Sequence, residues 1–299
     1  GNLPGVNIFE EIEALDMTAW RILTAPMALL GTLVASASAL ADHGMAHPWQ
    51  LGLQPPVTPV AVALNDFHNL LLVIITVITV FVTLLLIVVF LKFNAKANPT
   101  PRTTTHNTLL EVAWTAIPIL ILVVIAIPSF KLLYFADRTV EAEMTIKAVG
   151  HQWYWSYEYP DNGDFTFDAS MVADDELEPG QPRLLATDEA IVMPVNTNIR
   201  LLIAASDVIH AWAVPAFGVK LDGVPGRLNE TWVRVEKEGT YYGQCSELCG
   251  TGHGFMPIMV KVVSKQAFAA WVEKAKVEYA ARDGRPGVKL ADAGSGTTE

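Results

Sequence analysis

Two long, predominantly apolar runs stand out in the pattern of hydrophobic and polar positions along this 299-residue chain. The first covers residues 70–91 and is broken only by threonines, and the second covers residues 112–133. Each is long enough to cross a bilayer, which requires about 20 predominantly apolar residues. The loop between them, residues 92–106, contains basic residues and no acidic one. The pattern predicts a transmembrane hairpin over residues 66–135, with its basic loop in the cytoplasm.

The pattern changes at about residue 140. From there to residue 265 the chain consists of short segments rich in β-branched and aromatic residues, separated by Gly, Pro, Asn and Asp. This is typical of an antiparallel β-sandwich. Within the run WYW, strict alternation predicts that Trp153, Trp155 and Tyr157 lie on one face of a strand, with Tyr154 on the other.

The two ends of the chain have patterns of their own. Residues 1–41 contain a short apolar stretch and the small-residue run ASASALA, which predicts a cleaved signal segment. Its acidic beginning suggests translation from Met17; a retained membrane helix is the alternative. Residues 42–65 are proline-rich and predict an extended, extracytoplasmic lead-in. Ser264 is placed to cap a final helix in residues 266–299, which end in a tail predicted to be disordered.

Composition and charge narrow the function. Hydrophobic residues make up 52% of the chain and charged residues 17%, which agrees with membrane segments. The net charge is −11, and residues 141–265 contain 18 acidic and 9 basic residues. An acidic exposed domain argues against nucleic acid and favours a basic partner, although the excess of acidic residues also serves solubility.

The segment GQCSELCGTGHGFMP, Gly243–Pro257, carries the most specific chemistry. It places Cys245, Cys249, His253 and Met256 in one short loop. Thiolate, imidazole and thioether donors form a soft ligand set, which favours copper over hard cations. Two thiolates can bridge two metals, so the composition fits a two-copper electron-transfer centre, with His210 from a neighbouring strand as a further ligand.

Three other interpretations of this loop stay open at this stage. Two cysteines and two histidines also form zinc sites, although those sites usually lack a methionine. A disulfide between Cys245 and Cys249 is compatible with their spacing in an oxidising compartment. Met256 could simply fill the core, which is the ordinary role of a lone methionine.

The same loop resembles the copper A loop of cytochrome c oxidase subunit II. GHQWYWSYEYPD at residues 150–161 and HAWAVPAFGVKLDGVPGRLNE at residues 210–230 resemble two further motifs of that family. The resemblance implies a membrane-anchored, all-β fold, in which a two-helix transmembrane hairpin precedes a cupredoxin-like Greek-key sandwich over residues 140–265.

The resemblance also implies roles for individual residues. The bridging ligands of binuclear copper A are Cys245 and Cys249; one copper is completed by His210 and Met256, and the other by His253 and the carbonyl of Glu247. The side chain of Glu247 would bind a Mg or Mn ion shared with subunit I, near Asp222. Trp153 would be the point at which electrons enter, and Glu111 the start of a proton path. The acidic residues expected to dock a lysine-rich cytochrome c are Glu158, Asp161, Asp164, Asp188 and Asp207.

The function implied is that of subunit II of a proton-pumping haem–copper oxidase. It would pass electrons from cytochrome c through copper A to the haem of subunit I, where oxygen is reduced. Its partners would be subunit I, other oxidase subunits and the bilayer of a bacterial inner membrane, with the β-domain in the periplasm. Alternatives are a nitrous oxide or nitric oxide reductase with the same centre, and a membrane-tethered carrier of a single exchangeable copper.

Overall fold

The computed structural model of the chain describes residues 44–100, 102–138 and 141–280. Over these ranges the order of elements is two long helices, ten strands and a C-terminal helix. The predicted fold class is therefore confirmed. The predicted signal segment and the predicted disordered tail both lie outside the described residues.

The two long helices are α1, Pro59–Lys92, and α2, Thr108–Ala136. Both are long and apolar enough to cross a membrane, and their central side chains are exposed in the isolated chain, as expected for surfaces that lipid or another subunit covers. The Thr58 hydroxyl accepts a hydrogen bond from the Ala61 N–H, which caps α1. Helix α1 thus begins inside the segment that was expected to be an extended lead-in.

Each sheet of the sandwich has five strands. The first has the order β3-β2-β1-β5-β8 and the second the order β4-β10-β9-β6-β7. The strands are β1 (Met144–His151), β2 (Tyr154–Tyr159), β3 (Phe165–Ala169), β4 (Ile191–Pro194), β5 (Ile199–Ala205), β6 (His210–Val214), β7 (Val219–Gly223), β8 (Asn229–Val233), β9 (Gly239–Cys245) and β10 (Pro257–Val263).

The sheets are mixed, so the prediction of a purely antiparallel sandwich was wrong. Strand β1 runs parallel to β5, and β10 runs parallel to β4. Periodicity shows which residues face the core but carries no information about which strand lies alongside which. The parallel pairs follow from crossovers between the two sheets, which join segments far apart in the chain.

Alternation in β2 buries Trp155, Tyr157 and Tyr159 in the core between the sheets. Trp153 does not share their face, because the β1–β2 pairing ends with His151 opposite Tyr154. Trp153 lies in the turn that joins the two strands and is 36% exposed. The predicted common face was therefore wrong for this one residue, and the exposure of Trp153 matters for the site below.

The membrane helix α1 leaves directly from the sandwich. The Val57 N–H donates to the Ala216 carbonyl across 3.1 Å, and the Glu236 N–H donates to the Val57 carbonyl across 2.9 Å. The Thr58 hydroxyl donates to the Phe217 carbonyl across 2.7 Å. These bonds attach the start of α1 to the β-domain without a flexible linker.

The predicted C-terminal helix is present as α3, Lys265–Ala280, and the Ser264 hydroxyl accepts a hydrogen bond from the Ala267 N–H at its start. The helix covers one end of the first sheet. Its Trp271 ring lies 5.1 Å from the Tyr159 ring, and its Tyr279 ring lies 4.8 Å from the Phe167 ring, between centroids. Aromatic contacts of this kind bury large apolar areas and fix the helix on the sheet.

Candidate metal centre

The candidate metal loop joins β9 to β10. Cys245 is the last residue of β9, and its N–H donates to the carbonyl of Met256 across 3.0 Å, which closes the loop. His210 is the first residue of β6, a strand paired with β9 through Trp212 and Cys245. Two adjacent strands and one closed loop therefore bring the predicted ligands to the same end of the second sheet.

The predicted ligand atoms lie close together. The Sγ atoms of Cys245 and Cys249 lie 3.9 Å apart. The Nδ1 of His210 is 3.8 Å from the Cys245 Sγ, and the Nδ1 of His253 is 3.6 Å from the Cys249 Sγ. The successive contacts thus lead from an imidazole through two sulfurs to a second imidazole. The ligand atoms of His210, Cys245 and Cys249 all lie within 4.8 Å of one another, close enough together to hold a metal ion, and all three residues are buried.

This geometry decides one of the three other interpretations. Both cysteines are free thiols, and 3.9 Å is far beyond the roughly 2.05 Å of a disulfide bond. Two sulfurs at this separation can share one metal, because metal–thiolate bonds are about 2.3 Å long. Met256 is 1% exposed beside the cysteines, and its burial is compatible with both a ligand role and core packing. The residues present therefore fit a soft metal.

The Cys249 thiol keeps its proton before a metal binds. Burial and the neighbouring Cys245 thiol raise the pKa of the Cys249 thiol to about 12. Because only the thiolate binds a metal, a cation has to displace this proton. The carbonyl oxygen of Glu247 lies 3.4 Å from the Cys245 Sγ, so a backbone oxygen also faces the sulfur pair, as the resemblance implied.

Asp207 holds the ring of His210. Its Oδ1 lies 2.8 Å from the His210 Nε2, and its Oδ2 accepts the Gln152 N–H across 2.7 Å. Burial alone would raise the pKa of Asp207, but hydrogen bonds from the His210 ring and the Val208 and Gln152 N–H groups keep it below its ordinary value. A carboxylate that accepts from Nε2–H leaves Nδ1 with its lone pair towards the sulfurs, the tautomer that a metal needs.

The β1–β2 turn covers the metal loop. The indole Nε1 of Trp153 donates to the Cys249 carbonyl across 3.2 Å, and the amide nitrogen of Gln152 donates to the same carbonyl across 2.9 Å. Gly252 permits this approach, because a Cβ atom there would lie 2.3 Å from Cδ2 of Trp153. The partly exposed indole thus connects the surface to a backbone group of a candidate ligand.

The five acidic residues expected to dock a basic protein do not form one patch. Asp207 is bonded to the turn that contains Trp153, and Asp188 accepts the Ser170 N–H just beyond β3, where Ala169 pairs with Trp155. Glu158, Asp161 and Asp164 lie at the other end of the β1–β2 hairpin.

Two of the distant acidic residues already have partners inside the domain. Glu158 is paired with Lys147 across 2.8 Å, and both side chains are mostly buried. Asp161 accepts the Thr145 N–H at the beginning of β1. The docking role expected of the five acidic residues stays a prediction. The structure places Asp188 and Asp207 at the Trp153 end and the other three at the far end, because one strand length separates the ends of a hairpin.

Glu247 and Asp222 both form ion pairs with the same lysine, Lys220. The Lys220 ammonium lies 3.3 Å from Asp222 and 3.7 Å from Glu247, and all three side chains are about half exposed. Hard divalent ions require about six oxygen ligands. Two carboxylates alone therefore do not complete such a site.

Glu111 lies apart from all these residues. It occupies the first turn of α2, next to the basic loop, where the Asn107 side chain accepts the Leu110 N–H across 3.2 Å and caps the helix. The opposite end of α2 leads into the sandwich. The structure thus places Glu111 at the far membrane boundary from the metal loop, which agrees with the predicted hairpin.

Sequence reasoning missed several residues at the site. Asp168 is exposed on β3, opposite Ser156, towards the Trp153 end of the sheet. Gln152 bonds to Cys249, and Lys220 bonds to Glu247. Gly150 lies against His210, since a Cβ atom there would be 2.8 Å from that ring. All except Asp168 lie in the quoted motifs, but spacing alone does not reveal their partners.

Comparison with known proteins agrees with this architecture. Residues 144–263 match the family model described as cytochrome c oxidase subunit II, periplasmic domain, and residues 46–132 match the model of its transmembrane domain. A probable cytochrome c oxidase subunit 2 from Rickettsia bellii is 54% identical over 244 residues, which cover 82% of this chain and 90% of that protein. Cytochrome c oxidase subunit 2 of Phytophthora megasperma is 48% identical over 240 residues, which cover 79% of this chain and 90% of that protein.

Among solved structures, the periplasmic domain of subunit II of cytochrome oxidase from Bradyrhizobium japonicum is 57% identical. The match covers 48% of this chain and 99% of that one, with a TM-score of 0.45. The two family models together span most of the described residues, in the order of the hairpin and the sandwich. This membrane-anchored chain therefore belongs to the cytochrome c oxidase subunit II family.

Proposed function

We propose that this chain accepts electrons from cytochrome c at a binuclear copper A centre and passes them to the haem of subunit I. The observation that carries the proposal is the pair of free, buried thiols 3.9 Å apart between two imidazole nitrogens. A site for one metal has no need of a bridging sulfur. Two adjacent thiolates, each with an imidazole beside it, are instead suited to two metals that share both sulfurs.

The coppers would be held by Cys245 and Cys249 as shared ligands, with His210 and Met256 completing one copper and His253 with the Glu247 carbonyl completing the other. When bound, the coppers would supply a redox centre that holds one electron shared across the thiolates. The chain keeps the ligand geometry fixed: two strands, the closed β9–β10 loop and the Asp207–His210 bond all restrain the donors. A rigid ligand frame changes little on reduction, which favours fast electron transfer.

Electrons would enter through Trp153, because its indole is an exposed aromatic group bonded to the Cys249 carbonyl. A basic cytochrome c would dock around it on the acidic residues at the same end of the sheet, namely Asp168, Asp188 and Asp207. Opposite charges on the two surfaces steer encounter and fix orientation, so this patch would affect the association rate more than the transfer step.

The chain would sit in the bacterial inner membrane, with the sandwich in the periplasm and the basic loop in the cytoplasm. On that placement Glu111 would lie at the cytoplasmic boundary, where a proton path into subunit I would start. Glu247 would share a Mg or Mn ion with subunit I, which would supply the missing oxygen ligands. The Lys220 ammonium would then have to move away from Glu247 and Asp222, because it lies where the metal ion would bind.

Copper loading of the full chain in detergent tests the proposal. The expected result is two coppers per chain with a spectrum of one electron shared over both metals. Cys245→Ser and Cys249→Ser should each abolish that spectrum, because one thiolate cannot replace two. Ser246→Ala, in the same loop, is the matched control and should load normally. Binding of one exchangeable copper, or of zinc in preference to copper, would refute the electron-transfer role and favour a metal carrier.

A further inference from the structure

A groove runs between the two membrane helices at the end nearest the sandwich. It encloses about 490 Å³ and lies where α1 begins and α2 ends. The apolar side chains that line it are Ala63, Phe67, Leu70, Pro128, Leu132 and Phe135. Asp66 and Lys131 complete the lining and bring two charged groups to the same level. An apolar channel with charged groups at a membrane boundary has the character of a lipid surface rather than of a protein core.

A second, polar pocket of about 210 Å³ adjoins this end of α2, where the helix meets strands β5 and β8. Phe135 connects the two cavities. It lines the groove, and its ring packs edge-on against Trp232, which lines the polar pocket, with 5.9 Å between centroids. The Arg138 guanidinium lies over both rings, at 4.5 Å from Phe135 and 4.9 Å from Trp232. These cation–π contacts fix the position of the guanidinium beside the pocket.

The charges of the polar pocket balance. Arg138 and Arg200 are basic, and Asp137 and Glu230 are acidic. Arg200 and Glu230 already form an ion pair, which leaves Arg138 and Asp137 as the available charges of opposite sign.

We propose that this composite site binds one phospholipid with a phosphoethanolamine headgroup. One acyl chain occupies the groove between α1 and α2, and the headgroup occupies the polar pocket at the end of α2. The phosphate lies beside Arg138, and the ammonium lies beside Asp137. Arginine suits this role because its planar guanidinium donates two parallel bonds to phosphate oxygens.

The balance of charge selects the headgroup. An anionic headgroup such as phosphatidylglycerol carries no cation to pair with Asp137, and a choline headgroup cannot donate hydrogen bonds to a carboxylate. A zwitterion with an N–H-bearing cation matches both signs. The lipid site shares no residue with the metal loop. If no lipid binds, the electron-transfer proposal still stands, and if copper does not load, the lipid-site proposal still stands.

Photo-crosslinking tests the site on the full chain, both in nanodiscs and in native membranes. Two probes are used: phosphatidylethanolamine with a diazirine in the acyl chain, and the same lipid with a diazirine on the headgroup. The acyl probe should label residues 63–70 and 128–135, and the headgroup probe should label residues 136–138 or 230–232. Unlabelled phosphatidylethanolamine should compete better than phosphatidylglycerol or phosphatidylcholine.

Variants make the test specific. Arg138→Gln should lower headgroup labelling about tenfold at subsaturating probe, equivalent to about 1.4 kcal/mol of binding free energy, because a charge-assisted hydrogen bond to the phosphate is lost. Arg102→Gln, in the loop at the other end of the helices, is the matched control and should label normally. Ala63→Phe should fill the groove and lower acyl labelling, whereas Val73→Phe, at an exposed position of the same helix, should not.

Three outcomes would overturn the proposal. The first is labelling spread evenly along both helices, and the second is equal or better competition by phosphatidylglycerol or phosphatidylcholine. The third is labelling in nanodiscs that disappears in native membranes, which would mean that another subunit covers the groove. If Arg138→Gln prevents insertion, Ala63→Phe and the competition series still decide the question.

Discussion

The indole Nε1 of Trp153 donates a hydrogen bond to the carbonyl oxygen of Cys249 across 3.2 Å. One of these residues is partly exposed at the tip of a β-hairpin, and the other is a buried candidate metal ligand. The bond gives a short connected route from the protein surface to the centre, and the carbonyl is fixed from a second side by Gln152. The first prediction concerns this connection.

Trp153→Ala should slow electron delivery to the copper centre without changing copper content. The limiting transfer rate from reduced cytochrome c should fall at least about tenfold, equivalent to roughly 1.4 kcal/mol of activation free energy. Stopped-flow reduction at saturating cytochrome c measures it. Trp271→Ala, which removes a tryptophan from helix α3, is the control for aromatic loss elsewhere. An unchanged limiting rate, with only weaker binding, would show that electrons enter at another residue.

Gly252→Ala should displace the Trp153 indole, because the added Cβ would lie 2.3 Å from its Cδ2 atom. The matched control is Gly254→Ala, two residues on, where an added Cβ would contact nothing within 4 Å. Fluorescence of Trp153 and the limiting transfer rate should change in the first variant and not in the second. Equal behaviour of both would mean that the turn does not rest on the metal loop as described.

Asp207→Asn should weaken copper binding by about 10–100-fold, the usual effect of losing a group that orients a metal-binding histidine. The carboxylate of Asp207 accepts a hydrogen bond from the His210 Nε2–H, whereas an asparagine amide can instead donate an N–H to Nε2. The ring is then no longer held in the tautomer that leaves Nδ1 free to bind copper. Competition with a chelator of known affinity measures the loss. Asp161→Asn is the control, since Asp161 also accepts a backbone N–H but lies far from the metal loop. Equal affinities would show that Asp207 acts only at the surface.

The two groups of acidic residues should differ in their effect on cytochrome c association. Neutralising Asp168 and Asp188, at the Trp153 end, should lower the association rate most strongly at low salt, because the screening length is about 10 Å at 0.1 M. Neutralising Asp161 and Asp164, at the far end, changes the net charge equally and should have a smaller effect. A salt series by stopped flow compares them. Equal effects would mean that only the net charge matters.

Glu143 should contribute to the pH dependence of stability. The Asn198 N–H and the Lys265 ammonium bond to its carboxylate and keep its pKa below the ordinary value. A lowered pKa contributes stability that is complete above the ordinary pKa and is lost as pH falls through the lowered one. Glu143→Gln should therefore lose less stability than the parent chain between about pH 5 and pH 3. Thermal unfolding of the sandwich measures this, and identical pH profiles would contradict it.

The hydrophobic pattern predicted the membrane helices because a bilayer imposes a length and a composition that can be counted along the chain. The metal loop was also predictable, since Cys245, Cys249 and His253 lie so close in sequence that any closed loop brings them together. His210 could be added as a candidate, because a strand end 35 residues upstream can fold back onto the loop, and the resemblance gave it the same role. These are local constraints, and a linear chain displays them directly.

The tertiary structure decided what depends on segments far apart in sequence. Whether Trp153 belongs to a strand or to a turn depends on where the β1–β2 pairing ends, and the parallel β1–β5 pair depends on a crossover of about 50 residues. The division of the acidic residues into two groups follows from that same hairpin. Asp207 was expected at the surface, yet its carboxylate holds His210. Its role comes from hydrogen bonds to both the β1–β2 turn and β6, and such bonds exist only once the sheets have assembled.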